Sequence, residues 1–327
     1  MRRLASTAWS VACWMICAAV GLSTLAARAD DYPTRPIRIV VGFGAGSGAD
    51  ITARVVGARM SELLGQQIIV ENKTGGGSNI GAEYVAHSPK DGYTLFLATI
   101  SQPINAAVQP HVNFDFAKDF SPIVLVSTIP NVLVVNPKLG VHNVQELIAL
   151  AKKKPGGLSF GSSGVNTGTH LSAELFKVLT GVKMVHVPYA GSAQAVNDLL
   201  ASRIDLLFTP ASTVLQFVAQ GKLVALAATE SKRIEIAPDI PTMAEAGLPG
   251  FNTGLWFGLL APSGTPQAVI DKLSAAANQA IKTEAVAKAL RPQGITLLGG
   301  TPDAFRSYIA SEMARWDKVA REAGLKK

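Results

Sequence analysis

The sequence predicts an α/β fold in two lobes, each a parallel or mixed sheet flanked by helices. Three observations carry this. Short apolar runs of strand length alternate with stretches of helical periodicity, the pattern of successive strand–helix–strand units. A strand, a loop of small residues and a helix start occur at Ile37-Arg38-Ile39-Val40-Val41-Gly42-Phe43-Gly44-Ala45-Gly46-Ser47-Gly48-Ala49-Asp50, and the same succession returns at Leu158-Ser159-Phe160-Gly161-Ser162-Ser163-Gly164-Val165-Asn166-Thr167-Gly168-Thr169. The chain also has the length at which a single core stops growing and a second begins.

The first 29 residues read as a cleaved secretory leader, outside the fold. Arg2 and Arg3 precede a short apolar core, and Ala27-Arg28-Ala29 has the A-x-A form of a cleavage site. Removing 29 of the 327 residues leaves 298 and takes away both cysteines, Cys13 and Cys17. No disulfide, thiolate or Cys metal site is then expected. The leader holds three of the 30 Lys and Arg and none of the 23 acids, so the net charge after cleavage is +4. That mild balance gives no support to a nucleic-acid partner. No later segment has the length and apolarity of a transmembrane helix.

Taken in order, residues 37–41 form a buried strand, and Ile51, Val55, Val56, Met60, Leu63 and Leu64 recur at helical spacing until Gly65 stops them. Residues 67–71 make a second strand, Gly75-Gly76-Gly77-Ser78-Asn79 a second glycine-rich loop, and residues 93–98 a third strand. A second lobe is expected from about residue 128. It opens with the strand 131–135. Asn143-Val144-Gln145-Glu146 resembles a capping box, and Lys152-Lys153-Lys154 compensates the dipole at the end of that helix. After the repeated loop come the helix 170–179, a strand at 184–187, the helix 193–200 and strands at 205–208 and 223–228. Trp256-Phe257-Gly258-Leu259-Leu260 carries the chain back to the first lobe. Thr265-Pro266 and Thr301-Pro302 each read as an N-cap followed by proline at the first helical position. The lobes expected on this basis are residues 30–127 with 257–327, and residues 128–256.

The chemistry on offer is that of backbone amides. Four glycines between residues 42 and 48 let the main chain approach a guest closely, and the helix that follows aims its positive end there. No Lys or Arg lies between Gly42 and Asp50, so an anion held here is held by amides and a hydroxyl. A nucleotide reading is open too: Gly44-x-Gly46-x-x-Ala49 fits the loose dinucleotide pattern, with Glu71 at the end of the next strand to meet a ribose. An exported oxidoreductase is its consequence. No cofactor is otherwise expected. His87, His111, His142, His170 and His186 show no ligand pair at helical spacing and no G-x-S-x-G elbow occurs, so catalysis finds little support. His170, at a helix start beside Ser162, Ser163 and Thr169, is either a ligand contact or an ordinary residue near a cap. Asp50 caps its helix, reaches a ligand hydroxyl or ammonium, or does both.

Several motifs together resemble one family. Tyr32-Pro33-Thr34-Arg35-Pro36-Ile37, Ser78-Asn79-Ile80-Gly81-Ala82-Glu83, Asp91-Gly92-Tyr93-Thr94-Leu95, Val187-Pro188-Tyr189-x-Gly191-Ser192 and Pro241-Thr242-x-x-Glu245-x-Gly247-Leu248-Pro249-Gly250 are similar to the Bug family, the periplasmic substrate-binding proteins of tripartite tricarboxylate transporters. The resemblance runs through the whole mature chain. It implies a two-lobed periplasmic-binding-protein fold of the type II, Venus-flytrap kind, non-catalytic and monomeric, closing on a small organic acid and handing it to transporter subunits in the membrane. It implies Gly44, Ala45, Gly46 and Ser47 as backbone donors, and Asp50, Ser78, Asn79, Ser162, Ser163, Thr169, His170, Tyr189 and Ser192 as further ligand contacts. A binding component of an ATP-driven importer would share that cleft and localisation. The chain departs from the family in two places. The first loop lacks the prolines of V-P-F-x-x-G-G-x-x-D, and Phe208-Thr209-Pro210 stands where many members read F-D-N. Thr209 thereby puts a hydroxyl in place of an acid and is expected to disfavour ligands that carry an ammonium group.

Overall fold

The computed structural model describes residues 32–108, 112–154 and 156–325. The expected leader and its two cysteines lie outside the described residues, as does His111. In chain order the elements are β1 (Ile37–Val41), α1 (Gly48–Leu64), β2 (Ile68–Asn72), α2 (Asn79–Ala86), β3 (Thr94–Thr99), α3 (Ser101–Val108) and β4 (Phe120–Ile129). There follow β5 (Asn131–Val135), α4 (Val144–Lys153), β6 (Leu158–Ser162), α5 (Gly168–Thr180), β7 (Met184–Pro188), α6 (Ser192–Leu200), β8 (Leu206–Pro210), α7 (Ala211–Ala219) and β9 (Val224–Ala228). The chain ends with β10 (Leu255–Pro262), α8 (Gln267–Ile281), α9 (Glu284–Leu290), β11 (Thr296–Leu297) and α10 (Pro302–Glu322).

Two sheets result, with orders β11-β4-β10-β3-β1-β2 and β7-β6-β8-β5-β9. In each, three neighbouring strands are parallel and the rest antiparallel: β2, β1 and β3 in the first, β7, β6 and β8 in the second. The strands carrying the two small-residue loops, β1 and β6, are the middle members of those trios. Successive connections leave each of them in opposite directions, so both loops open at a topological switch point, where α/β sheets bind ligands. The chain changes sheet at Pro130, between β4 and β5, and returns between β9 and β10 through residues 229–254.

Apolar packing follows this layout. One cluster runs on from the first lobe, with Phe96, Trp256, Phe305 and Trp316, into the second, with Phe160, Phe176 and Phe208. A second cluster fills the opposite face of the first sheet under α1, α8 and α9, and a third lies under α6 and α7. The expected capping box forms: Glu146 N donates to Asn143 Oδ1, while Glu146 accepts from Asn143 Nδ2 and His142 N. Thr301 caps α10 with Pro302 in its first turn. Thr265 differs from expectation, because its hydroxyl donates to Pro262 O and α8 starts after Pro266.

Five elements have no counterpart in the sequence reading: β4, α3, α7, α9 and β11. β4 contains Pro122, which argues against a central strand. It is accommodated because β11 pairs only with Ser127 and Thr128, so the flank of β4 beside Pro122 is an edge. α3 carries Pro103 in its first turn, where no N–H is needed. α7 begins directly after β8 with no loop to announce it.

Candidate functional site

The first loop is open to solvent and held from its flank. Gly44, Ala45 and Gly46 are exposed, and Gly46 has φ of 80°, a conformation that favours glycine. Ser47 is the N-cap of α1 and accepts from Asp50 N at 3.2 Å. Asp50 is buried, and its carboxylate accepts from Gly46 N at 2.9 Å, Asn72 Nδ2 at 2.8 Å and Arg54 Nε at 3.0 Å. Asn72 also donates to Phe43 O. Burial alone would raise the Asp50 pKa, but Arg54, Gly46 and Asn72 outweigh it and the carboxyl is held below its ordinary value. Asp50 is therefore the anchor of the loop. Glu71, which a nucleotide reading assigns to a ribose, is paired with Lys73 at 2.7 Å and Arg38 at 3.0 Å.

Next to this loop the main chain passes very close to its neighbour. A Cβ on Gly42 would stand 1.8 Å from Ser78 Oγ and 2.8 Å from Ser78 Cα. Ser78 has φ of 78°, is buried, and its hydroxyl has no protein partner. Asn79 Oδ1 accepts from Asn105 Nδ2 at 3.0 Å, and the same amide donates to Gly77 O. Asn105 belongs to α3, whose first turn also brings Gln102. Gln102 Oε1 accepts from Thr99 N at 2.7 Å, which fixes the amide and leaves the buried Nε2 without a partner. Sequence reading missed Gln102 and Asn105. Their signal was the strand-to-helix junction Thr99-Ile100-Ser101-Gln102, which lacks glycine and so looked unlike the other loops.

The second loop is held from within. Ser162 is fully buried; its hydroxyl donates to Gly164 O at 3.0 Å, accepts from Gly164 N and lies 2.6 Å from His186 Nε2. Thr169 Oγ1 accepts from Ser163 N and lies 3.0 Å from both Ser163 Oγ and Thr167 Oγ1. Thr167 is the N-cap of α5 and accepts from His170 N. His170 Nδ1 accepts from Asn166 N at 3.2 Å, and its ring stacks on His186 with centroids 4.0 Å apart. Burial, then the nearby Lys177, lowers the His170 pKa to about 4; burial, then His170, does the same for His186. Both rings are neutral near pH 7. A serine hydroxyl within reach of a histidine nitrogen is half of an activated nucleophile, but Ser162 is enclosed and bonded on both sides. His186, reached neither by spacing nor by motif, is the residue the sequence reading missed here.

The remaining candidates sit around this loop. Tyr189 N donates to Ser162 O, while its hydroxyl donates to Asp198 at 2.8 Å and is pushed up to about 12 by burial and by that carboxylate. Ser192 opens α6 behind Gly191, an N-cap without a side-chain bond. Thr209 is buried at the end of β8, with Oγ1 2.9 Å from Thr213 Oγ1.

The two helix heads correspond. In each, the N-cap hydroxyl takes the third N–H (Asp50 or His170), and helix geometry leaves the first two, Gly48 and Ala49 or Gly168 and Thr169, without intrahelical acceptors. Both first positions are glycines seated against the crossing strands. A Cβ on Gly48 would lie 2.9 Å from Ile129, and one on Gly168 2.9 Å from Leu255 and 3.2 Å from Ile100. The latter contact joins the second lobe to the carboxyl end of β3 in the first. Among the described residues no group of three or more His, Cys, Asp or Glu is placed to hold a metal, and no helix is long and apolar enough to cross a membrane.

The profile of the tripartite tricarboxylate transporter family receptor matches residues 52–325. The chain belongs to that family. Protein BugT of Bordetella pertussis is 39% identical over 300 residues, covering 91% of this chain and 92% of its own. The structure of R. palustris Rpa4515 with adipate superposes with a TM-score of 0.79 at 37% identity, covering 90% of this chain and 99% of that one. MatC (Rpa3494) from Rhodopseudomonas palustris with bound malate gives a TM-score of 0.76 at 30% identity, over 88% of this chain and 99% of that one. The two-sheet architecture is thus that of periplasmic binding proteins, and the family is one of substrate-binding receptors.

Proposed function

We propose that the chain is an exported, periplasmic solute-binding protein that closes its lobes on a small organic carboxylate and delivers it to a transporter of the tripartite tricarboxylate type. It works as a monomer, without cofactor and without catalysis. Residues 32–129 with 255–325 and residues 130–254 are the two halves of the clamp, each with its own sheet. The observation that carries this reading is the pair of helix heads. Each offers two amides at the positive end of a helix, and the cations on those helices are paired: Arg54 with Asp50 and Asn72, Lys177 with Glu174. Amides so placed attract a carboxylate. Adipate and malate on two relatives of the same fold support the ligand class.

In this reading Gly44, Ala45, Ser163 and Ser192 meet the ligand, together with the main-chain N–H groups of Gly48, Ala49, Gly168 and Thr169. Contrary to expectation, Gly46 N and Ser47 N are not free donors, being spent on Asp50 and Gly44 O, and the Ser47 and Thr169 hydroxyls are engaged as well. Asp50, Ser162, His170 and Tyr189 shape the loops, because their polar atoms are already engaged within the protein. Ser78 and Asn79 stand at the first-lobe wall, and Thr209 keeps an acid out of the second. A thermal-shift panel of mono-, di- and tricarboxylates tests this. A ligand at a hundred times its Kd stabilises by about 2.7 kcal/mol, so at least one acid raises Tm, and plain dicarboxylates do so more than aspartate or glutamate. A panel in which no acid moves Tm removes the function; the reverse order among dicarboxylates removes the role of Thr209.

A further inference from the structure

A second recess lies at the hinge, apart from the cleft. It encloses about 330 Å³ and is lined by Thr128, Leu298 and Tyr308 of the first lobe and by Glu230, Ile234 and Asn252 of the returning segment. None of the residues assigned to the cleft lines it. Its most unusual group is Glu230. The carboxyl lies over the main chain of Gly254, where a Cβ would stand 2.0 Å from Oε1, and Oε1 is buried with no hydrogen-bond partner. A buried acceptor left without a partner is costly, and more so when the group is charged.

That oxygen is enclosed against Gly254 rather than open to the recess, and the cations nearby are committed elsewhere. Arg315 is committed to Glu312 and Asn252 O, and Arg233 to Glu245 and Pro238 O. Glu312 is itself satisfied by Trp256 Nε1, Trp316 Nε1 and Arg315. Glu230 takes a hydrogen bond from the Thr128 side chain and forms no ion pair among the described residues; Glu235 and Lys232 are exposed at the rim. Pro130, Ile234, Leu298 and the Tyr308 ring give the rest an apolar character. Burial, then Glu312, pushes the Glu230 pKa up to about 7, so the carboxyl is poised to gain from a cation.

We propose that this hinge recess binds a small organic ammonium, with its charge on Glu230 and its apolar body against Ile234, Leu298 and Tyr308. The volume, at ~30 Å³ per water, holds about ten waters or one compact amine. Because its walls come from the first lobe and from the segment that joins the lobes, its occupant is coupled to closure, and the coupling is reciprocal with cleft ligands. Binding strengthens as pH rises through about 7, where Glu230 ionises while the amine stays protonated.

The test uses the mature protein at pH 8 with benzylammonium as probe and benzyl alcohol as its neutral counterpart, followed by backbone amide chemical shifts. Benzylammonium is expected to perturb Glu230, Asn252 and Leu298, and to bind at least tenfold more tightly than the alcohol. Glu230→Gln, which removes a buried charge and keeps the shape, is expected to lose at least tenfold in affinity for the amine while keeping its response to the acids that bind the cleft. Perturbations confined to residues 162–170, equal binding of the alcohol, or undiminished binding by Glu230→Gln would overturn the proposal. Each of these outcomes leaves the carboxylate reading untouched, because that reading is measured with different ligands at different residues.

Discussion

The two strand–loop–helix units share a sequence grammar and differ in what holds them. Around residues 42–50 the loop is exposed, and one carboxylate, Asp50, grips it from the flank with help from Asn72 and Arg54. Around residues 161–170 the loop folds onto its own hydroxyls, with Ser162, Ser163, Thr167 and Thr169 in a chain of contacts over two stacked histidines. Small residues permit a close main chain in both. Rigidity comes from a charge in one and from a hydroxyl network in the other, so the two should fail in different ways.

The largest difference should appear at Gly42. Adding a methyl there overlaps the main chain of Ser78 as well as its side chain, and Gly42→Ala is expected to cost about 3 kcal/mol in denaturant unfolding. Gly164→Ala, whose Cβ meets nothing nearer than 3.5 Å, should cost less, from backbone strain alone at φ of 133°. Equal losses at the two glycines would erase the contrast.

Asp50→Ala comes next. It removes a charged acceptor from Gly46 N, Asn72 and Arg54 and should cost about 2–3 kcal/mol. Added salt should narrow the gap to wild type only slightly, since the carboxylate is buried. In the second loop, Ser162→Ala with Thr169→Ala removes neutral hydrogen bonds and should cost about 1–2 kcal/mol, with no salt dependence. A loss in that double variant as salt-sensitive as one at an exposed ion pair would mean that charge holds both loops.

The last difference is in pH. His170 and His186 have folded pKa values of about 4, below their ordinary values near 6.5, so the unfolded chain binds more protons between those limits. Their contribution to stability is present above about pH 6.5 and is lost as pH falls towards 4. Glu230, raised to about 7, acts in the opposite sense, but it is common to both proteins when wild type is compared with His186→Asn. The variant should lose less Tm than wild type between pH 6.5 and 4. Parallel Tm curves would show that the histidine pair does not titrate as described.

Much of this architecture was readable from periodicity and punctuation. The repeated loop, the Asn143–Glu146 box and the Thr301-Pro302 start are local signals, and local chemistry produces them. The elements that escaped notice depend on distant partners. Pro122 is tolerated in β4 because β11 is too short to need its N–H, and nothing near Pro122 in the chain announces that. The same holds for the site. Residues on the glycine and serine loops could be named, but Gln102 and His186 acquire their places only when β3 and β7 are laid beside β1 and β6. Asp50 was visible as an acid at a helix head, and only packing shows which neighbours it binds.

The seat of Gly168 has one more consequence. With Leu255 and Ile100 close to it, the α-carbon of that residue is the doorstop of the proposed clamp: in that reading the thickness of whatever group stands there sets how far the shell can shut. An engineer wanting a sensor with a wider gape, or a jaw that stays ajar around bulkier cargo, would begin by adding a methyl at this one position.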